Sequence, residues 1–71
     1  MSESVYRVTE VIGTSPDSWE QAARNAVDTA AATVRDHREA EATRFDVTIQ
    51  DGKVATYRVR LDISFKYESG D

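Results

Sequence analysis

One stretch near the C-terminus constrains the fold more than any other. Tyr57, Val59, Leu61, Ile63, Phe65 and Tyr67 alternate without a break with Arg58, Arg60, Asp62, Ser64 and Lys66. A period of two sustained over this length marks a β-strand with one apolar and one polar face. Counted from Val54 to Tyr67 at about 3.3 Å per residue, the strand spans roughly 45 Å if straight. One short helix cannot cover that length. The strand must bend, or offer part of its apolar face to another chain.

The preceding segments supply the rest of a small layered fold. Val5 to Ile12 is rich in β-branched residues, with Tyr6, Val8 and Ile12 on one alternating face and Arg7 and Thr9 on the other, and reads as a first strand. Gly13 and Thr14 break that pattern. Ser15-Pro16 then offers an N-cap hydroxyl and a proline at the first helical position. Asp17 and Glu20 place negative charge near this helix start, and Arg35, His37 and Arg38 place positive or titratable groups near its end, as the helix dipole favours. Trp19, Ala22, Ala23, Ala26, Val27, Ala30 and Val34 recur at helical spacing. A stripe of alanines lets a helix lie close to a sheet, with Trp19 as its one large contact.

From Ala42 to Ile49 the period returns to two, with Phe45, Val47 and Ile49 opposing Arg44, Asp46 and Thr48. Asp51-Gly52 follows, and this pair signals a tight hairpin because its central residues must adopt positive φ. The order is β-α-β-β, an α+β fold with one helix on a three-stranded antiparallel or mixed sheet. A helical crossover sets the first two strands parallel and the hairpin pairs the last two antiparallel, so the third strand falls in the centre, in the order 1-3-2. Both outer strands then need cover, which argues for assembly into a homo-oligomer. Ser69 to Asp71 reads as a polar tail.

Length and composition point the same way. Seventy-one residues make a single domain spanning 1–71. Chains below roughly 80 residues usually need a disulfide, a metal or a partner to be stable. There is no cysteine, which excludes disulfides, thiolate metal sites and cysteine nucleophiles. A net charge of −4 opposes the field that non-specific nucleic-acid binding requires. No signal-peptide pattern and no run of about 18 apolar residues occurs, so no membrane association is expected and the default location is the cytoplasm.

Side chains that could carry chemistry are few. His37 is the sole histidine and reads as a solvated helix terminus beside Asp36 and Arg38. Asp36, Glu39, Glu41, Asp46, Asp51 and Asp62 match no calcium-loop spacing, so no metal site is assigned within one chain. Gly13, Gly52 and Gly70 occur singly and form no phosphate-cradling loop. Trp19 lies in the helical stripe and reads as a packing residue. Arg58, Arg60 and Lys66, interrupted by Asp62, form either ordinary solvated surface or the lining of an interface or inner cavity that takes an anion or a neighbour's carboxylates. No nucleophile or acid and base pair stands out, so no catalytic residue is assigned and an enzyme is not expected.

Nearly the whole chain resembles a known family, the dodecins. The likeness rests on Val5-Tyr6-Arg7-Val8 leading into Val11-Ile12-Gly13-Thr14-Ser15, on the alanine-rich helix, and on Tyr57-Arg58-Val59-Arg60-Leu61-Asp62-Ile63-Ser64-Phe65. The resemblance implies a hollow dodecamer that binds a flavin, FMN or riboflavin, as cofactor. Flavin-binding members carry a ring-stacking tryptophan just after the helix and a ring-contacting glutamine in the last strand. Those positions fall here on Glu39 and Arg58, so both family residues are replaced. The implied function is a self-assembling small-ligand binding or storage protein. The alternatives are a divalent cation, calcium-like, or an anionic nucleotide-type ligand at subunit junctions, or a purely structural shell. Arg58 is expected to pair across a subunit contact with Glu39 or Asp62 of a neighbour.

Overall fold

The computed structural model describes residues 5–32 and 37–66. Four elements follow in order: β1 (Tyr6–Ser15), α1 (Trp19–Ala31), β2 (His37–Gln50) and β3 (Lys53–Lys66). The three strands form one sheet in the order β1-β3-β2, and β3 is antiparallel to both neighbours. The fold class and the central placement of the alternating strand are therefore as expected. Asp51 and Gly52 take φ of 53° and 75°, the paired positive values of a tight hairpin turn. Tyr67, Ser69 to Asp71, Val34, Arg35 and Asp36 lie outside the described residues.

The helix starts later than the Ser15-Pro16 pair suggests. Ser15 stays in β1 opposite Tyr57, and its Oγ accepts from the Asp17 N–H at 2.9 Å in a local turn. The cap is Ser18, whose side chain accepts from the Gln21 N–H at 3.0 Å. Ser18-Trp19-Glu20-Gln21 fits the capping-box spacing, a better match than a serine followed directly by proline. The helix also ends earlier, at Ala31, where the Ala32 N–H bonds back to the Thr29 carbonyl at 3.2 Å and tightens the last turn. His37 accordingly opens β2 and is not a helix terminus.

The face of β1 that meets the helix is not its apolar one. Val11, Gly13 and Ser15 turn toward α1, whereas Tyr6, Val8 and Ile12 are exposed on the far side. The reason is at Gly13: a Cβ there would sit 2.0 Å from the Ala22 carbonyl oxygen and 2.8 Å from the Ala26 Cβ. Helix and strand touch backbone to backbone, which only small residues on both partners permit. The core is correspondingly small: Ala22, Ala26, Val59, Leu61 and Ile63 are buried, with Val11, Ala23, Val27 and Ala30 packed around them.

The 13-residue helix is about 20 Å long, whereas the 14-residue β3 extends over about 46 Å. The molecule measures 55 × 20 × 13 Å and exposes 5520 Å². A compact monomer of this length exposes about 4,400 Å². The surplus is surface that an isolated chain leaves uncovered.

Candidate functional site

The outer face of the sheet, opposite α1, carries most of the charge. Cross-strand register sorts it into rows. Thr14, Arg58 and Asp46 share one row; Ile12, Arg60 and Arg44 the next; Glu10, Asp62 and Glu41 the third; Val8, Ser64 and Glu39 the fourth. An arginine row thus abuts a carboxylate row. Like charges directly opposite one another across strands are unfavourable, so this face calls for counter-charge from elsewhere.

Arg58 is already engaged within its own chain. Its Nε and one terminal nitrogen donate to the two carboxylate oxygens of Asp46 at 2.9 and 3.1 Å, a bidentate pair with both side chains roughly 40% exposed. The expected pairing is with Glu39 or Asp62 of a neighbouring copy; within its own chain Arg58 takes Asp46. Within one chain Glu39 sits opposite Ser64, six residues further along β3 and about 20 Å away. The register places Asp46 directly opposite Arg58, and that proximity decides the pairing. Asp46 also anchors the other face, because its carbonyl accepts from the Trp19 indole N–H at 3.1 Å. Trp19 packs edge-on against Tyr57 and Phe45 at centroid distances of 5.2 and 5.9 Å. It packs on the helix side of the sheet but stays 41% exposed and outside the buried core, so the packing role its place in the stripe suggests is met only in part.

The hydrogen bonds from Arg58 hold the Asp46 carboxyl below its ordinary value of 3.8, helped by the positive charge of Arg58, Arg44 and Arg60 against some desolvation. The same hydrogen bonds raise Arg58 above its ordinary value. Because the folded Asp46 is the stronger acid, its pairing contributes stability above the unfolded pKa and loses it as pH falls through the folded one. Acid titration followed by circular dichroism should therefore show wild type losing its advantage over Asp46→Asn only below about pH 4. Equal acid sensitivity of the two proteins across that range would contradict the pairing.

Elsewhere on this face Arg60 approaches Glu10 at 3.9 Å, a loose contact. Among the described residues, no three carboxylate or imidazole groups converge closely enough to hold a metal ion. None of the helices is long and apolar enough to cross a membrane, again among the described residues.

A family model for dodecin matches residues 5–68, almost the whole chain. The chain belongs to the dodecin family. It is 48% identical over 63 residues, 89% of either chain, to the calcium dodecin of Mycobacterium tuberculosis. Among solved structures, the dodecin of Streptomyces coelicolor superposes with a TM-score of 0.91 at 47% identity, covering 99% of this chain and all of that one. A crystal structure described as the calcium-chelating calcium dodecin of M. tuberculosis, with a novel calcium-binding site, matches with a TM-score of 0.81 at 46% identity, covering 94% and 96% of the two chains. Glu39 presents a carboxylate on the outer face opposite Ser64, and the Arg58 guanidinium is already paired with Asp46. Neither side chain offers a ring to stack a flavin on.

Proposed function

We propose that this dodecin is a non-enzymatic, self-assembling small-ligand binding protein whose copies close into a hollow dodecamer, and that the ligand is a divalent cation held between copies. The observation that carries this reading is the carboxylate row of Glu10, Asp62 and Glu41, on the face that also bears Glu39. Hard divalent cations take six to eight oxygen ligands when they are calcium-sized. The described residues of one chain do not converge enough of them, so the reading has symmetry-related copies contribute. The near-half identity to a protein named calcium dodecin supports the choice of cation.

Flavin is the competing ligand, and it is tested in the same protein. Stacking on an aromatic ring is worth about 1–3 kcal/mol, so its loss at Glu39 weakens flavin binding by roughly ten- to a hundredfold. Riboflavin or FMN titration should show little fluorescence quenching with wild type, and Glu39→Trp combined with Arg58→Gln should recover at least about tenfold in affinity. Protein purified without added ligand should contain calcium and lack flavin absorption. Bound flavin with tight quenching in wild type would overturn the choice of ligand.

A further inference from the structure

Two of the arginines on the outer face of the sheet lack the partner that the third has. Arg58 donates to both carboxylate oxygens of Asp46, at 2.9 and 3.1 Å. Arg60 is two residues further along the same face of β3, and its one ion-pair contact among the described residues is Glu10 at 3.9 Å, beyond hydrogen-bond reach. Arg44 stands directly opposite Arg60 on β2. Among the described residues its side chain makes no ion pair and no hydrogen bond. The charge of Arg44 and of Arg60 helps to lower the Asp46 carboxyl, which gathers the three guanidinium groups on one patch. Directly opposed residues of an antiparallel pair have Cβ atoms about 4.5–5.5 Å apart, and like charges there repel. Arg60 is also sheltered: its side chain is 35% exposed, against 65% for Arg24 on the helix, and Ile12 flanks it in the same row.

We propose that Arg44 and Arg60 form a binding site for a free inorganic oxyanion of the phosphate class, separate from the carboxylate row and of opposite charge preference. A guanidinium presents paired N–H groups in one plane, and a tetrahedral oxyanion has enough acceptors to take a pair from each of two arginines at once. The carboxylates of the chain leave that demand unmet. Asp46 is closed by Arg58, and Glu10, Asp62 and Glu41 belong to the next row, about 7 Å along the strands. Those three acids weaken the attraction for an anion without cancelling it, because their repulsion falls with distance whereas the arginine hydrogen bonds act at contact. An anion seated between the two arginines also relieves their mutual repulsion, so its binding stabilises the sheet.

Calorimetric titration of the protein in its native assembly with sodium phosphate, in dilute chloride buffer, tests the site. Wild type should bind phosphate saturably. Arg44→Gln and Arg60→Gln should each weaken binding about ten- to a hundredfold, the worth of one charge-assisted partner. Arg24→Gln removes the same charge from the helix, where Arg24 already pairs with Glu20, and should bind phosphate as wild type does. Thermal melting of the same samples at equal ionic strength gives a second readout: exchanging chloride for phosphate should raise the midpoint of wild type and Arg24→Gln, and leave that of Arg44→Gln in place. No phosphate binding by wild type, or an equal loss in Arg24→Gln, would overturn the site. A changed particle size in Arg44→Gln or Arg60→Gln by light scattering would assign these arginines to a contact between copies and overturn it as well.

Discussion

Gly13→Ala should destabilise this protein more than any other single methyl group added to it. The new Cβ would lie 2.0 Å from the Ala22 carbonyl oxygen, a backbone atom that cannot rotate aside. Relief requires lifting α1 from the sheet, which opens the contacts of Ala22 and Ala26 with β3. Overpacking a well-filled core costs about 1–3 kcal/mol and sometimes more, and a clash against backbone belongs at the upper end. A domain of this size has a total stability of only about 4–11 kcal/mol. Urea unfolding at fixed protomer concentration should show a loss of about 3 kcal/mol or more. Gly52→Ala is the control: its φ is +75° but no atom lies within 4 Å of the added group, so only the left-handed backbone cost of about 1–2 kcal/mol applies. Equal effects at the two glycines would contradict the close helix–sheet approach.

The second large effect is expected at Leu61, buried at the centre of β3 beneath the helix. Leu61→Ala removes three carbons from a core that, among the described residues, has five buried members. Such truncations cost about 2–5 kcal/mol, the spread reflecting how far the cavity collapses. Leu61 also borders the groove on the Arg24 side of α1, so solvent reaches the vacated space and the loss falls toward the lower part of that range. Thermal melting at constant protomer concentration is the appropriate readout, because folding coupled to assembly makes the midpoint concentration-dependent. Phe45→Ala is a larger truncation at a position 56% exposed in the protomer, and with melting compared at a dilution that leaves protomers unassembled it should cost less. A milder effect at Leu61 than at Phe45 would place the core elsewhere.

Element order, central strand and turn were legible because each rests on a local signal: unbroken alternation in β3, the Asp51-Gly52 pair and the alanine stripe. The partner of Arg58 was not. Counting back from the tight turn, where Gln50 faces Lys53, sets Arg58 opposite Phe45. An extra residue at Ala55 shifts the register by one and brings Asp46 opposite instead. A second irregularity at Thr43 shifts it again, so that Ala40 and Ala42 share the helix-side face with Phe45 and Val47. The Thr43 hydroxyl donates to the Arg60 carbonyl at 3.2 Å, a tie that local patterning does not announce. The burial of β1 was equally hidden. Hydropathy favours the face of Tyr6, Val8 and Ile12, but the helix needs the small residues Gly13 and Ser15 beneath it. Close approach outweighed alternation.

Wild-type protein in its native assembly, titrated with calcium beside Asp62→Asn, tests the central claim most directly. The carboxylate row predicts saturable calcium binding by wild type, with affinity falling at least about tenfold, or about 1.4 kcal/mol, when the middle carboxylate becomes an amide and particle size stays unchanged. Calcium binding that is absent, or identical in the two proteins, would contradict a cation site on this face.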